Sequence, residues 1–248
     1  MLKSVTFINL IKKVTSNKPT LTSWNFCGCY THTSFFGECY SFYLPDGLDF
    51  NIYLNPYFHE YDITQFVFKV LSDGDIFVDV GAHGGLYTVL AAKRVGNGGK
   101  VFSFEPNPLN VKFLKLNVHL NNLENVEIIP MAVNNKEGRL KLFCSTNETA
   151  LTSTSPLNFK DANQRIIQVD TASLDDLIKK VDFVKILKID TEGNDYNVLE
   201  SAKGLLNKTF YIIVEQNSLS VRRLLSKSFW LSTLEPSGYL LATNKLLK

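Results

Sequence analysis

The sequence contains no apolar run approaching the ~20 residues that a membrane-crossing helix requires. It also lacks a surplus of one charge. Against 26 Lys and Arg stand 24 Asp and Glu in 248 residues, a formal net charge of +2, with the two signs interspersed. Nucleic-acid-binding domains cluster Lys and Arg on one face, so no nucleic-acid partner is expected. The largest local cluster of lysines, at residues 179–188, falls partly in a strand-like stretch and reads as a solvated face. Cysteine is scarce as well. Cys27, Cys29 and Cys39 lie near His32, with Cys144 apart, but one residue between Cys27 and Cys29 is too short a spacing for a zinc knuckle, and packed or half-buried thiols are the expectation for that cluster. No disulfide framework is legible, which makes a reducing, cytoplasmic compartment the default. A secretory leader is not expected either. The apolar stretch at residues 5–11 precedes Lys12 and Lys13 instead of following them, and reads as part of an amphipathic helix over residues 1–14.

What is present fits a packed enzyme domain. With 45% hydrophobic and 20% charged residues, the chain can bury one sizeable α/β core. It divides near Ser72. Residues 1–71 are expected to form a small N-terminal β/α extension: short strands within 24–54 with turns at Gly37 and Pro45-Asp46-Gly47, then a helix over 56–71 capping the core. Residues 72–248 alternate strand and helix. Strands are expected at 76–80, 101–104, 126–129, 184–189 and 211–214, and helices at 86–95, 111–120, 174–178 and 196–206. Such alternation is the mark of an α/β fold with a mostly parallel sheet and helices on both faces. Two further strands, at 139–143 and 166–169, flank a polar loop over 145–164, and a last strand at 239–243 is expected beside the fifth.

The central chemical signal is Asp79-Val80-Gly81-Ala82-His83-Gly84-Gly85, between a strand and a helix. Glycine at 81 and 85 lets backbone approach a nucleoside closely, and the helix behind it points its positive end at the ligand. Asp79 is expected to brace the loop amides. Twenty residues after Gly85, Glu105 ends the second strand, where nucleotide-binding folds place a carboxylate that accepts from both ribose hydroxyls. Pro106, Asn107 and Pro108 then stop that strand and start a helix. These features suit a nicotinamide dinucleotide or S-adenosylmethionine. The dinucleotide fingerprint asks for glycine where this chain has His83 and Leu86, so S-adenosylmethionine is the better fit and a nicotinamide oxidoreductase the alternative. A non-catalytic nucleoside-binding scaffold is the rival from another class.

On the fourth strand, Lys188 and Asp190 project to one face because side chains alternate with period two. Asp190 ends that strand at the ligand-binding edge. It is the first candidate to contact an acceptor or the methionine amine, with Glu192, His83 and Glu215 the next candidates for a general base. If Asp190, Glu192 and Glu215 converge, they could hold Mg2+.

Four segments carry a family resemblance. Asp79-Val-Gly-Ala-His-Gly-Gly-Leu-Tyr-Thr88 resembles the D-V-G-A-N-x-G-x-Y-T signature of the FkbM methyltransferases. Phe104-Glu-Pro-Asn-Pro108, followed by Leu114 and Asn117, resembles their E-P-x-P segment, and Leu187-Lys-Ile-Asp-Thr-Glu-Gly193 is similar to their L-K-I-D-V-E-G motif. Val214-Glu215 at the end of the fifth strand is the fourth match, and the likeness extends over about residues 56–216. The resemblance implies a Rossmann-like class I methyltransferase fold, S-adenosylmethionine as donor, and a hydroxyl on a sugar, glycan or secondary metabolite as acceptor. By the same analogy the adenine lies beside Met131 and Ala132. His83 stands where the family usually has Asn, and Asp195 where it usually has Glu.

Overall fold

A computed structural model of the protein describes residues 23–25, 28–35, 37–44, 60–145, 152–154 and 164–247. The expected helix at 1–14, the turn at 45–47 and most of the polar loop over 145–164 lie outside them, as do Cys27 and the side chains of Cys29 and His32, while Cys39 is exposed rather than packed. The first of the described elements form an antiparallel three-stranded sheet, β1 (Ser23–Asn25), β2 (Gly28–Phe35) and β3 (Glu38–Leu44). Helix α1 (Tyr61–Val70) follows, covering the described part of the helix expected over 56–71.

The main domain is wound from β4 (Ile76–Val80), α2 (Leu86–Val95), β5 (Lys100–Phe104), α3 (Pro108–Leu120) and β6 (Val126–Ile129). A smaller sheet then interrupts the winding: β7 (Ala132–Val133), β8 (Gly138–Ser145), β9 (Thr152–Ser153) and β10 (Gln164–Ala172). The winding resumes with α4 (Leu174–Leu177), β11 (Val184–Ile189), α5 (Asp195–Glu200), α6 (Lys203–Leu206), β12 (Thr209–Val214), α7 (Leu219–Leu225), β13 (Phe229–Thr233) and β14 (Leu240–Asn244). The large sheet runs β6-β5-β4-β11-β12-β14-β13. Its five strands from β6 to β12 pair in parallel, while β14 is antiparallel to both of its neighbours. The strand order reverses between β4 and β11, and a crevice opens at the carboxyl ends of such a switch point.

The central strands explain why they are central. β11 reads Val-Lys-Ile-Leu-Lys-Ile and is buried at every position but Lys185, as a strand covered on both faces must be. One face packs α2 and Leu114 of α3 together with Ile63 and Val67 of α1 and Tyr40 and Phe42 of β3. The other packs α4 to α7 against Val78, Leu187 and Val214. The N-terminal segment therefore shares the main core.

Several expectations are corrected. The strands expected at 139–143 and 166–169 are longer and belong to the separate small sheet, paired antiparallel with Arg139 opposite Asp170. The single helix expected over 196–206 is two, α5 and α6. Between them the Ser201 hydroxyl donates to the Val198 carbonyl and accepts the Leu174 amide, drawing backbone groups away from a continuous ladder. Edge strand β13 has no counterpart among the expected strands, because its sequence Phe-Trp-Leu-Ser-Thr does not alternate apolar with polar residues although its burial does. The lysine-rich stretch is only partly a solvated face. Lys179 and Lys180 are exposed, but Lys188 is 2% exposed and ion-paired with Asp190.

Candidate active site

The turn after β4 is fixed by its neighbours. Gly81 and Ala82 both donate their amides to the Phe104 carbonyl, at 2.9 and 3.0 Å. Gly81 has φ +85°, and a Cβ there would lie 1.8 Å from the Asp190 carbonyl oxygen. Gly85, at φ +92°, would put a Cβ 2.5 Å from Leu114 Cδ1. Glycine is thus required at both positions because Asp190, just past β11, and helix α3 press on the turn, and Gly81 lines the cavity described below. Asp79 is corrected. It is buried and accepts from the Thr88 hydroxyl at 2.7 Å rather than bracing loop amides, and its Oδ1 has no hydrogen-bond partner.

Glu105 stands where the spacing placed it, 4% exposed at the end of β5. Its Oε2 accepts the His83 amide and its Oε1 the Asn107 amide, each at 2.8 Å. Burial pushes its carboxyl up to about 7, against the pull of those two amides and of the Asn110 side chain. Asn107 caps α3 through the Leu109 amide at 3.0 Å and donates to the Thr152 hydroxyl at 3.2 Å.

A cavity of about 320 Å³ follows the carboxyl edge of the sheet. Below β5 and β6 it is lined by Glu105, Pro106, Met131 and Ala132, with Ala82 and His83 of the glycine turn between. Below β11 and β12 it is lined by Lys188, Asp190, Glu192 and Glu215. Leu140 and Leu142 of β8 and Thr152 of β9 supply another wall. Among the predicted site residues, Asp79, Gly85 and Asn107 do not line the cavity; they shape the elements that do.

The second group is strongly acidic. One carboxylate oxygen from each of Asp190, Glu192 and Glu215 lies within 4.8 Å of the others. Burial, and then the Asp190 charge, pushes Glu215 up to about 8. Lys188 Nζ sits 2.9 Å from Asp190 Oδ2. Burial opposes its charge, but Asp190, Asp79 and Glu60 outweigh burial and hold the ammonium above the usual lysine range. Asp195, the departure from the resembled motif, is fully buried and ties the two loops together. Its Oδ1 accepts the Thr191 amide at 3.0 Å and its Oδ2 the Gln216 amide at 2.9 Å.

Among the lining residues that escaped the sequence reading are Glu60, Tyr87 and Tyr239. Tyr87 lies inside the glycine signature and could have been found there. Glu60 and Tyr239 lie outside any motif, and only the tertiary fold brings them in.

The strand order, the glycine turn and the carboxylate after β5 together define a class I, Rossmann-like methyltransferase that uses S-adenosylmethionine as donor. The chain belongs to the FkbM methyltransferase domain family, whose sequence model matches residues 79–241. That match removes the nicotinamide alternative. Comparison with curated proteins gives no match. Among solved structures, an rRNA methylase from Streptococcus thermophilus aligns with TM-score 0.46 and 14% identity over 75% of this chain and 95% of that one. A SAM-dependent methyltransferase from Aquifex aeolicus aligns with TM-score 0.43 and 17% identity over 73% and 87%. Precorrin-6y C5,15-methyltransferase from Geobacter metallireducens aligns with TM-score 0.45 and 11% identity over 74% and 86%. None of these likenesses bears on the acceptor. Among the described residues, no helix is long and apolar enough to cross a membrane.

Proposed function

We propose that the protein methylates a hydroxyl of a small molecule or glycan, with Asp190 facing the reacting atoms. The observation that carries this reading is one cavity with Glu105 under β5 and the Lys188–Asp190 pair under β11. Glu105 has both oxygens anchored by backbone amides and accepts the ribose hydroxyls, while Met131 and the small Ala132 flank the adenine. His83 keeps the turn in shape through its amide. When bound, S-adenosylmethionine supplies an electrophilic methyl group on a sulfonium.

The residues of the chain then have three tasks. They align an acceptor oxygen behind that methyl group, exclude water, and take the hydroxyl proton. Asp190 is the first candidate for the proton, with Glu192 and His83 behind it. Leu140, Leu142 and Thr152 close the cavity from the small sheet. Mg2+ has no assigned role, because Lys188 already neutralises Asp190. A glycan or small molecule is favoured over nucleic acid because, among the described residues that line the cavity, the one Lys or Arg is Lys188, and its charge is taken up by Asp190, which leaves no basic track for a phosphate backbone.

The test is incubation of the full chain with methyl-tritiated S-adenosylmethionine and a panel of sugars, glycans, small metabolites and RNA. Label recovered as methyl ethers of sugars or small alcohols is the expected result. Label in RNA alone overturns the acceptor class, and donor binding with no transfer to any acceptor favours a non-catalytic scaffold. Asp190→Asn should lower turnover by about 100- to 10,000-fold with the fold intact. Undiminished turnover removes Asp190 from the chemistry.

A further inference from the structure

Five side chains at the β11 part of the cavity form a closed ring. Lys188 Nζ touches Asp190 Oδ2 and stands 4.7 Å over the centre of the Tyr87 ring. The Tyr87 hydroxyl donates to Glu60 Oε2 at 2.7 Å. The Tyr239 hydroxyl lies 2.8 Å from Glu60 Oε1 and 3.1 Å from Asp190 Oδ2, so its single proton is shared between two carboxylates. The members come from four separate places: Glu60 before α1, Tyr87 in the first turn of α2, Lys188 and Asp190 on β11 and just past it, and Tyr239 just before β14.

Both Lys188 and Tyr239 meet Asp190 at the same oxygen. A lysine ammonium alone is a point charge on a flexible stem and fixes a carboxylate's distance better than its rotation. Tyr239 is 6% exposed, and its ring is held by the core that contains Phe77 and Tyr87. Its hydroxyl therefore supplies a second contact whose direction is set. Glu60 holds that hydroxyl from behind, and does so at φ +49°, a left-handed conformation that non-glycine residues rarely adopt.

We infer that Tyr239, anchored by Glu60, is a positioning residue that orients the Asp190 carboxylate toward the transferring methyl group. The inference rests on the reading of Asp190 given above. It makes a residue ahead of the main domain and one near the last strand parts of the transfer machinery, although neither lies in a recognisable motif.

Two ligands test this without an identified acceptor: S-adenosylhomocysteine, and sinefungin, which carries an amine-bearing carbon in place of the methylsulfonium. Their affinity ratio, measured by calorimetry on the full chain, reports what faces the methyl position. Asp190→Asn should shrink the preference for sinefungin, and Tyr239→Phe should shrink it roughly fivefold, the worth of one lost orienting hydrogen bond. The double variant should be no worse than Asp190→Asn, since both act through one group. A role in stability alone would lower the melting temperature or weaken both ligands together, leaving the ratio alone. If Asp190→Asn leaves the ratio unchanged, the underlying reading fails. If Asp190→Asn shrinks it while Tyr239→Phe leaves it unchanged or raises it, the positioning role is overturned. Should Tyr239→Phe not fold, Glu60→Met, which removes both acceptor oxygens and keeps much of the size, carries the same expectation and the same overturning result.

Discussion

Asn117 of α3 donates its side-chain amide to the Gly84 carbonyl at 2.8 Å, tying the last turn of that helix to the glycine turn. The same side chain accepts the Tyr43 amide of β3 at 2.7 Å, so one buried residue joins the N-terminal sheet, α3 and the cavity wall. Asn117→Ala leaves both partners without it in the interior. The expected loss is about 2–4 kcal/mol of stability, the penalty for two orphaned buried groups, together with weaker S-adenosylhomocysteine binding. Denaturant unfolding and calorimetry check the two effects, and an unchanged midpoint would refute the bracing role.

Glu105 gives the protein a pH signature. Its carboxyl is raised from its ordinary 4.5 to about 7 by burial, and ribose hydroxyls donating to it favour the ionised form. Binding then releases a proton, and S-adenosylhomocysteine affinity should rise about tenfold between roughly pH 6 and 8. Glu105→Gln should flatten that profile and weaken binding at the upper pH by about 1–3 kcal/mol. A flat wild-type profile counts against the ribose role.

Stability of the free protein should run the other way. A carboxyl whose pKa is higher folded than unfolded contributes stability that is complete below the unfolded value and lost as pH rises through the folded one. Glu105 at about 7 and Glu215 at about 8 act in the same direction. Melting temperature without ligand should therefore fall from about pH 5 to about pH 8, and the fall should be shallower in Glu215→Gln. A melting temperature that rises over that window would show the two carboxyls to be ionised at its lower end.

Lys188 is the buried counter-charge of the site. Lys188→Met keeps much of the volume but leaves Asp190 and Asp79 without their cation. Removing one partner of a buried pair destabilises by about 3–5 kcal/mol. Thermal unfolding at neutral pH measures this, and a loss below about 1 kcal/mol would mean that the pair behaves as a surface ion pair.

Gly81 tests the geometry of the turn. With φ +85° and the Asp190 carbonyl where a Cβ would go, Gly81→Ala must push β11 away or unfold the turn, at a cost of at least about 2 kcal/mol. A soluble variant with unchanged melting temperature would show that the turn and the strand are not in contact.

Much of the fold was legible because its central strands are short, apolar and punctuated. The runs at β4, β5, β11 and β12 could be read directly, and Lys188 and Asp190 fell on one face by alternation alone. The carboxylate at 105 was placed by its spacing from the glycine turn. What was not legible depended on long-range contact. The reason for Gly81 lies in a carbonyl more than a hundred residues away. Lys188 could be set beside Asp190 as its ion-pair partner by alternation, but its near-complete burial could not be read, since no local signal fixes how deep the end of a strand lies. Glu60 and Tyr239 have ordinary neighbours in sequence and gain their place only because α1 and β14 deliver them to the same carboxylate. Asp195 was noted as a departure, yet its task of joining two loops needed the positions of both amides.

Glu60 meets a tyrosine 179 positions further along the chain, so the ring around Asp190 closes only when the C-terminal strand docks on β12. During synthesis the glycine turn and Glu105 leave the ribosome long before Tyr239 does. In a chain that docks its elements in the order of synthesis, the glycine turn and Glu105 are therefore in place before the final hairpin arrives, and that hairpin supplies the last of the contacts that hold Asp190.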